Sequence, residues 1–291
     1  MTQAAEVQAF FDPATNTISY MVVDPSTRKG VFIDPVLDYD HASGKAATTS
    51  AELMLDAAQA AGVEIVRILE THAHADHLSA APFLRERTGA PVCIGKHICQ
   101  VQSIFKPVFN LSDVSEDGSE FDVLLGDGDT FDIGKLPATV LHTPGHTPAC
   151  VSYLIGDALF VGDTLFMPDY GTARADFPGG SARVLYASIR RLLDLPPETR
   201  IFVCHDYKAD GRDYFAWETT VDAQRKGNIH IRDGISEEEF VAMRTQRDAS
   251  LAAPTLLLPS IQVNIRGGKW PQPESNGQHY LKIPIKYESA Q

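Results

Sequence analysis

With 291 residues, 44% hydrophobic and 22% charged, the chain has an ordinary globular composition and can bury a large core without disulfides or metal staples. Its formal net charge of −13 argues against nucleic acid and anionic membranes as partners, and an anionic ligand then needs a local basic pocket. No apolar stretch approaches membrane-spanning length, and the first residues (MTQAAEVQAF) lack a basic segment followed by an apolar one, so the expected location is the cytoplasm.

Strands are expected at 7–11, 18–24 and 30–34, where apolar or alternating runs are punctuated by Pro13, Asn16 and Pro25. Residues 38–48 read as a polar loop. Thr49-Ser50-Ala51-Glu52 has the spacing of a capping box and opens a helix that ends near Gly62. A buried strand at 65–69 runs into Glu70-Thr71-His72. A helix at 79–88 stops at Gly89, a strand follows at 92–94, and a helical stretch runs from 96 to 105. This alternation predicts an α/β sheet covered by helices.

The middle is β-rich. Strands at 121–125, 130–133 and 138–142, with a Gly-Asp-Gly-Asp turn at 126–129, read as a meander. Residues 151–155 and 158–161 around Gly156-Asp157 read as a hairpin. Then come a helix at 181–193, a buried strand at 201–204 and helices at 217–226 and 236–247, the last opened by a second capping box, Ser236 to Glu239. The tail, 254–291, carries five prolines and reads as extended loop and short strand packed on a single domain spanning 1–291. Cys93, Cys99, Cys150 and Cys204 match no metal or redox spacing, and three of them fall in apolar runs, so they read as core residues in a reducing compartment.

Chemistry concentrates in Thr71-His72-Ala73-His74-Ala75-Asp76-His77, where four metal-capable side chains follow a buried strand directly. In regular strand His72 and His74 would point to opposite faces, so a tight loop is needed for both to face one site. His146 follows a sharp Pro144-Gly145 turn, Asp163 ends the strand at 158–161, and His205 ends the strand at 201–204. A strand-end His or Asp is more often a cap or a surface group. Here every candidate sits at the C-terminal end of an apolar strand, which lets residues distant in sequence converge on one rim. His142 precedes the turn and reads as structural.

THAHADH, TPGHT, GDTLF and CHDY, in this order, resemble the metallo-β-lactamase superfamily. The resemblance implies an αββα sandwich with a metal site at one edge of the sheets. Within it, FFDPATNTISY, ETHAHADHLSAA, ARADFPGG, HDY, the pattern at 219–228 and PSIQVNIRGG are similar to the persulfide dioxygenases, also called sulfur dioxygenases. That likeness implies one Fe(II) per chain held by His72, His146 and Asp163, with open positions for O2 and substrate. His74, Asp76, His77 and His205 would then orient the ligands. It also implies oxidation of glutathione persulfide by O2 and water to sulfite and glutathione, with Arg225, Lys226, Asn228 and Tyr207 against the substrate. Arg225 is favoured as carboxylate anchor, although a Gln-Arg-Lys run is usually a solvated helix face. Arg174, Asp176 and Asp206 read as one charge network beneath the site, so that Asp206→Asn disturbs His205 and activity more than stability.

The residues themselves leave an alternative open. His72, His74 and His146 for one metal, Asp76, His77 and His205 for another, and a bridging Asp163 form the set of a dinuclear hydrolase such as glyoxalase II, with zinc or two metals in place of one iron. A non-catalytic metal- or persulfide-binding module is the third reading, and the intact ligand set argues against it. A homodimer is the common state of soluble enzymes, and the sequence carries no signal for or against one.

Overall fold

A computed structural model describes residues 4–285 and 287. The first half runs β1 (Glu6–Asp12), β2 (Thr17–Val23), β3 (Lys29–Ile33), β4 (Val36–Asp40), β5 (Lys45–Ala47), α1 (Thr49–Ala60), β6 (Glu64–Leu69), β7 (Leu78–Ser79), α2 (Ala81–Thr88), β8 (Val92–Gly95), α3 (Ile98–Phe109) and β9 (Val123–Leu125). The second runs β10 (Thr130–Ile133), β11 (Leu136–His142), β12 (Val151–Ile155), β13 (Ala158–Phe160), α4 (Ala182–Leu193), β14 (Arg200–Phe202), β15 (Glu218–Thr220), α5 (Val221–Gly227), α6 (Glu237–Asp248) and α7 (Leu257–Asn264).

Two six-stranded sheets result, in the orders β1-β2-β3-β6-β8-β9 and β10-β11-β12-β13-β14-β15, beside a small β5-β4-β7 sheet. Strand period explains the layering. In β2, Ile18, Tyr20 and Val22 enter the core between the sheets, while Met21 and Val23 enter the core under the helices. In β13, Ala158 and Phe160 face the other sheet, and Leu159 faces the core beneath α4 and α6. Three apolar cores therefore separate four layers, helix, sheet, sheet, helix, which is the expected αββα sandwich. Tyr20 ties the sheets together, its hydroxyl donating to the Val203 carbonyl.

Several local expectations are corrected. The Gly-Asp-Gly-Asp turn does not close a meander: β9 pairs in parallel with β8 in the first sheet, and the turn carries the chain across to β10 in the second. The polar loop at 38–48 is a hairpin of β4 and β5, hidden in the sequence because β5 is exposed along its whole length and has no period. Helix α1 has no side-chain cap; the Thr48 hydroxyl instead donates to Glu52. Helix α3 runs on through Pro107 to Phe109 and is capped by Asn110. The β-branched pair Thr219-Thr220 belongs to β15, and Thr220 caps a shorter α5. The tail contains a helix, α7. The hairpin of β12 and β13 and the α6 capping box form as expected, and Ser181 caps α4. Residues 286 and 288–291, the end of the expected tail, lie outside the described residues.

Candidate metal centre

Strands β3, β6 and β8 are parallel, as are β13 and β14, so their C-terminal ends gather at one edge of the sandwich. After β6 the chain turns tightly enough to bring the His72 and His74 rings to 4.0 Å. Two buried carboxylates hold this turn. Asp34 follows β3 in a left-handed conformation (φ 48°) that Asp tolerates better than most residues. It accepts the Thr71 amide at 2.7 Å and the Thr71 hydroxyl at 2.8 Å, and lies 3.0 Å from His74 Nε2. Glu70 accepts the Ser79 hydroxyl and lies 3.5 Å from the same nitrogen.

The opposite side is clamped by Asn264, the last residue of α7. Its side-chain Oδ1 accepts the Ser79 backbone amide at 2.9 Å, and its Nδ2 donates to the carbonyls of His74 and His77 at 2.8 Å each. Asn264→Ala should weaken metal binding roughly 10- to 100-fold by freeing this loop. Competition against a chelator measures the loss, and unchanged affinity would remove Asn264 from the site.

His146 is delivered by Pro144-Gly145. Gly145 has φ 137°, and a Cβ there would meet the Leu185 backbone nitrogen of α4 at 2.4 Å, so only glycine lets the turn pack against that helix. Asp163 follows β13 and His205 follows β14.

One ligand atom each from His72, His146 and Asp163 lies within 4.8 Å of the others, and so do those of His74, Asp76, His77 and His205. Asp163 joins the two groups: its Oδ2 is 3.6 Å from His146 Nε2 and 4.0 Å from His72 Nε2, and its Oδ1 is 3.4 Å from His205 Nε2.

The imidazoles are oriented by their second nitrogens. His146 Nδ1 contacts the Arg174 carbonyl at 2.8 Å and His205 Nδ1 the Asn16 carbonyl at 3.2 Å. A carbonyl only accepts, so both Nδ1 atoms carry the proton and both Nε2 lone pairs face inward. Thr71 gives its hydroxyl proton to Asp34, so its oxygen receives His72 Nδ1–H at 3.0 Å. His77 Nδ1 faces the Thr17 hydroxyl at 3.3 Å.

What remains is diagnostic. His72 Nε2, His74 Nδ1, His77 Nε2 and Asp163 Oδ1 are buried and make no hydrogen bond among the described residues, while Asp76 Oδ2 and His205 Nε2 face each other at 2.9 Å. Buried polar atoms rarely stay unmatched, and these lie in two adjoining groups, His72, His146 and Asp163 and His74, Asp76, His77 and His205, where a bound cation would satisfy them. The residues present therefore fit a metal. Burial, reinforced by the neighbouring imidazoles, pushes the His72 and His77 pKa values down and keeps both as neutral ligands. For His74 and His205 burial acts in the same direction, but the charges of Asp34 and Asp76 respectively outweigh it and push the values up.

A cavity of about 640 Å³ opens over Asp76, His146 and Asp163, a size suited to a small organic ligand. Phe166, Tyr170 and Tyr207 form an aromatic wall, with ring centroids 5.1–6.2 Å apart. Of the residues expected to hold substrate, Tyr207 lines the cavity. Arg225, Lys226 and Asn228 do not line it. Arg225 is exposed and pairs with Asp233 at 3.0 Å, Lys226 pairs with Asp222 at 2.7 Å, and Asn228 is buried, holding the Gly171 carbonyl and Gln224. The single network of Arg174, Asp176 and Asp206 is also corrected. Arg174 binds Asp176 through the one edge formed by Nε and Nη2, while Asp206 is bound by Arg212. Arg174 acts on the site through its backbone carbonyl.

Sequence reasoning missed Asp34, Glu70 and Asn264. It also read Cys204 as a plain core residue. Its thiol is buried but lies within 4.8 Å of ligand atoms of Asp163 and His205, and burial pushes its pKa up, so it stays a thiol beside the centre. Among the described residues no helix is long and apolar enough to cross a membrane.

The architecture and site have counterparts. A probable metallo-hydrolase of Burkholderia pseudomallei is 52% identical over 96% of this chain and 98% of its own length. Other curated relatives at 50% identity are longer, and the chain spans 65% of their length. The mouse persulfide dioxygenase ETHE1 is 29% identical over 90% of this chain and 88% of its own. The crystal structure of ETHE1 from Myxococcus xanthus superposes with a TM-score of 0.73 at 30% identity, covering 91% of this chain and all of that one. The profile described as "Metallo-beta-lactamase superfamily" matches residues 14–205, which include every candidate ligand, and the chain belongs to that superfamily.

Proposed function

We propose that the chain is a persulfide dioxygenase, with one Fe(II) held by His72, His146 and Asp163. It would oxidise a thiol persulfide, glutathione persulfide in the first instance, with O2 and water to give sulfite and the thiol. The observation that carries this reading is the extent of the likeness to ETHE1. It covers all of the Myxococcus chain and runs past residue 205, where the superfamily profile ends. Asn264, which clamps the metal loop, lies in that further segment.

Bound iron would supply the redox chemistry. The protein does the positioning: the Arg174 carbonyl fixes His146, Thr71 fixes His72, and Phe166, Tyr170 and Tyr207 wall one side of the cavity. Metal analysis of anaerobically purified protein, beside O2 uptake and sulfite release with glutathione persulfide, tests the reading. One iron per chain with both signals is expected; iron-loaded protein giving neither defeats it. The second reading, a glyoxalase II-like hydrolase, is favoured by the complete seven-residue ligand set and by the 52% identical relative, which is named a probable metallo-hydrolase. Two metals per chain and thioester cleavage would establish it, and tight metal binding with no turnover would leave a binding module.

A further inference from the structure

Three arginines line the cavity above the metal centre: Arg174, Arg244 and Arg247. Two of them are already occupied. Arg174 is bound to Asp176 and the Ala252 carbonyl. Arg244 is buried, donates to Asp248 at 2.8 Å and holds the Thr172 carbonyl. Arg247 closes no ion pair and makes no side-chain hydrogen bond among the described residues. In a chain of net charge −13, whose Arg174, Arg212, Arg225 and Arg244 each hold a carboxylate, this leaves one cavity-lining guanidinium with its charge uncommitted.

Arg247 is also well mounted. It lies in the last turn of α6, where its own carbonyl accepts the Ser250 hydroxyl at 2.7 Å. A cation at a helix C-terminus is additionally favoured by the helix dipole. Leu251, Ala252, Pro254 and Leu256 continue the same wall of the cavity, so a polar ligand group entering there finds mostly apolar neighbours and one cation.

We infer that Arg247 is the anion anchor for substrate, and that the cavity takes a thiol derivative whose carrier bears a carboxylate away from the reacting sulfur. The inference rests on reading this cavity as the substrate site of a persulfide-oxidising enzyme. It replaces Arg225 as the anchor, because Arg225 neither lines the cavity nor has a free guanidinium. It selects a carboxylate-bearing thiol such as glutathione over hydrogen persulfide or an uncharged carrier. A guanidinium pairs with a carboxylate through two parallel N–H bonds, which a lysine cannot reproduce.

The test is calorimetric binding of glutathione and of glutathione diethyl ester to the metal-loaded protein without O2, so that affinity is read apart from turnover. The intact protein should bind glutathione more tightly than the diester. Arg247→Ala should weaken glutathione binding roughly 10- to 100-fold, the range for a charged hydrogen-bonded contact. It should leave diester binding unchanged, Arg247→Lys should recover part of the loss, and Arg225→Ala should have no effect. With persulfide substrate, Arg247→Ala should raise KM and spare kcat. The proposal is overturned if Arg247→Ala keeps full glutathione affinity, if the loss falls on Arg225→Ala, or if the intact protein does not bind glutathione. The expected binding losses in a protein that consumes no O2 would keep the anchor and discard the oxidation.

Discussion

Asp163→Ala should strip the metal centre and stop turnover while leaving the chain folded. Asp163 reaches both groups of imidazoles, 3.6 Å from His146 on one side and 3.4 Å from His205 on the other. Its Oδ1 is buried without a hydrogen bond, so the side chain has no structural partner to lose among the described residues. Removing a charged ligand costs a metal centre several kcal/mol, and each ~1.4 kcal/mol is tenfold, so activity should fall roughly a thousandfold or more. The metal-free protein should melt close to the unsubstituted metal-free protein, because Asp163 sits beyond the end of β13 and packs in none of the three apolar cores. Metal content measured beside far-ultraviolet circular dichroism separates the two effects. Full metal occupancy in a folded Asp163→Ala protein would show that the ligands have been misassigned.

The candidate ligands were legible in the sequence because each one ends an apolar strand, and the C-terminal ends of parallel strands share an edge. What supports them was not. Asp34 meets Thr71 and His74 some forty residues away, and Asn264 reaches His74 and His77 across most of the chain. A single polar residue at the end of a strand or in a proline-bearing tail shows no period that would announce such a contact. The turn at 126–129 misled for a related reason. Gly and Asp mark a turn but do not say which sheet the next strand joins, and here β9 and β10 belong to different sheets.

Of the expected substrate contacts, Tyr207 lines the cavity and Arg225, Lys226 and Asn228 do not. The motif pattern pointed to Arg225 and Lys226, yet Asp222 stands four residues before Lys226, a spacing that pairs acid and base on a helix surface. That signal favoured the solvated face. Arg247 has its own acid in sequence, the adjoining Asp248, but Asp248 turns to Arg244, four residues before it. Neighbours i and i+1 on a helix do not face each other. The i,i+4 pair is thus what leaves Arg247 free.

The same reasoning assigns a different consequence to Asp206 than the sequence suggests. Placed beside Arg174, Asp206 would act on His205 and activity with little effect on stability. In the structure it is fully buried, accepts Arg212 Nη1 and Nη2 at 2.6 and 2.7 Å, and also accepts the Ala216 amide at 2.8 Å. Arg212 spends its remaining edge on Asp169 at 2.6 and 3.0 Å. The Asp206–Arg212 pair therefore pins the 206–216 loop to the segment carrying Asp169, Tyr170 and the aromatic wall. Removing Asp206 leaves the partly buried Arg212 with Asp169 and the Tyr214 carbonyl, so the cost is that of lost charged hydrogen bonds, about 1.5–3 kcal/mol. With an unfolding entropy of roughly 2 cal/mol/K per residue, a chain of this length should lose about 2–5 °C in Tm. Asp206→Asn keeps one acceptor oxygen and should lose less. Activity should fall in both, because Tyr207 and His205 adjoin the loop, and the loss should follow loop order more than metal content. Thermal unfolding of metal-free Asp206→Ala and Asp206→Asn, beside their metal content after reloading, measures this. A Tm within a degree of the parent for Asp206→Ala would remove the buried pair from the account of stability and return Asp206 to the role its sequence position suggests.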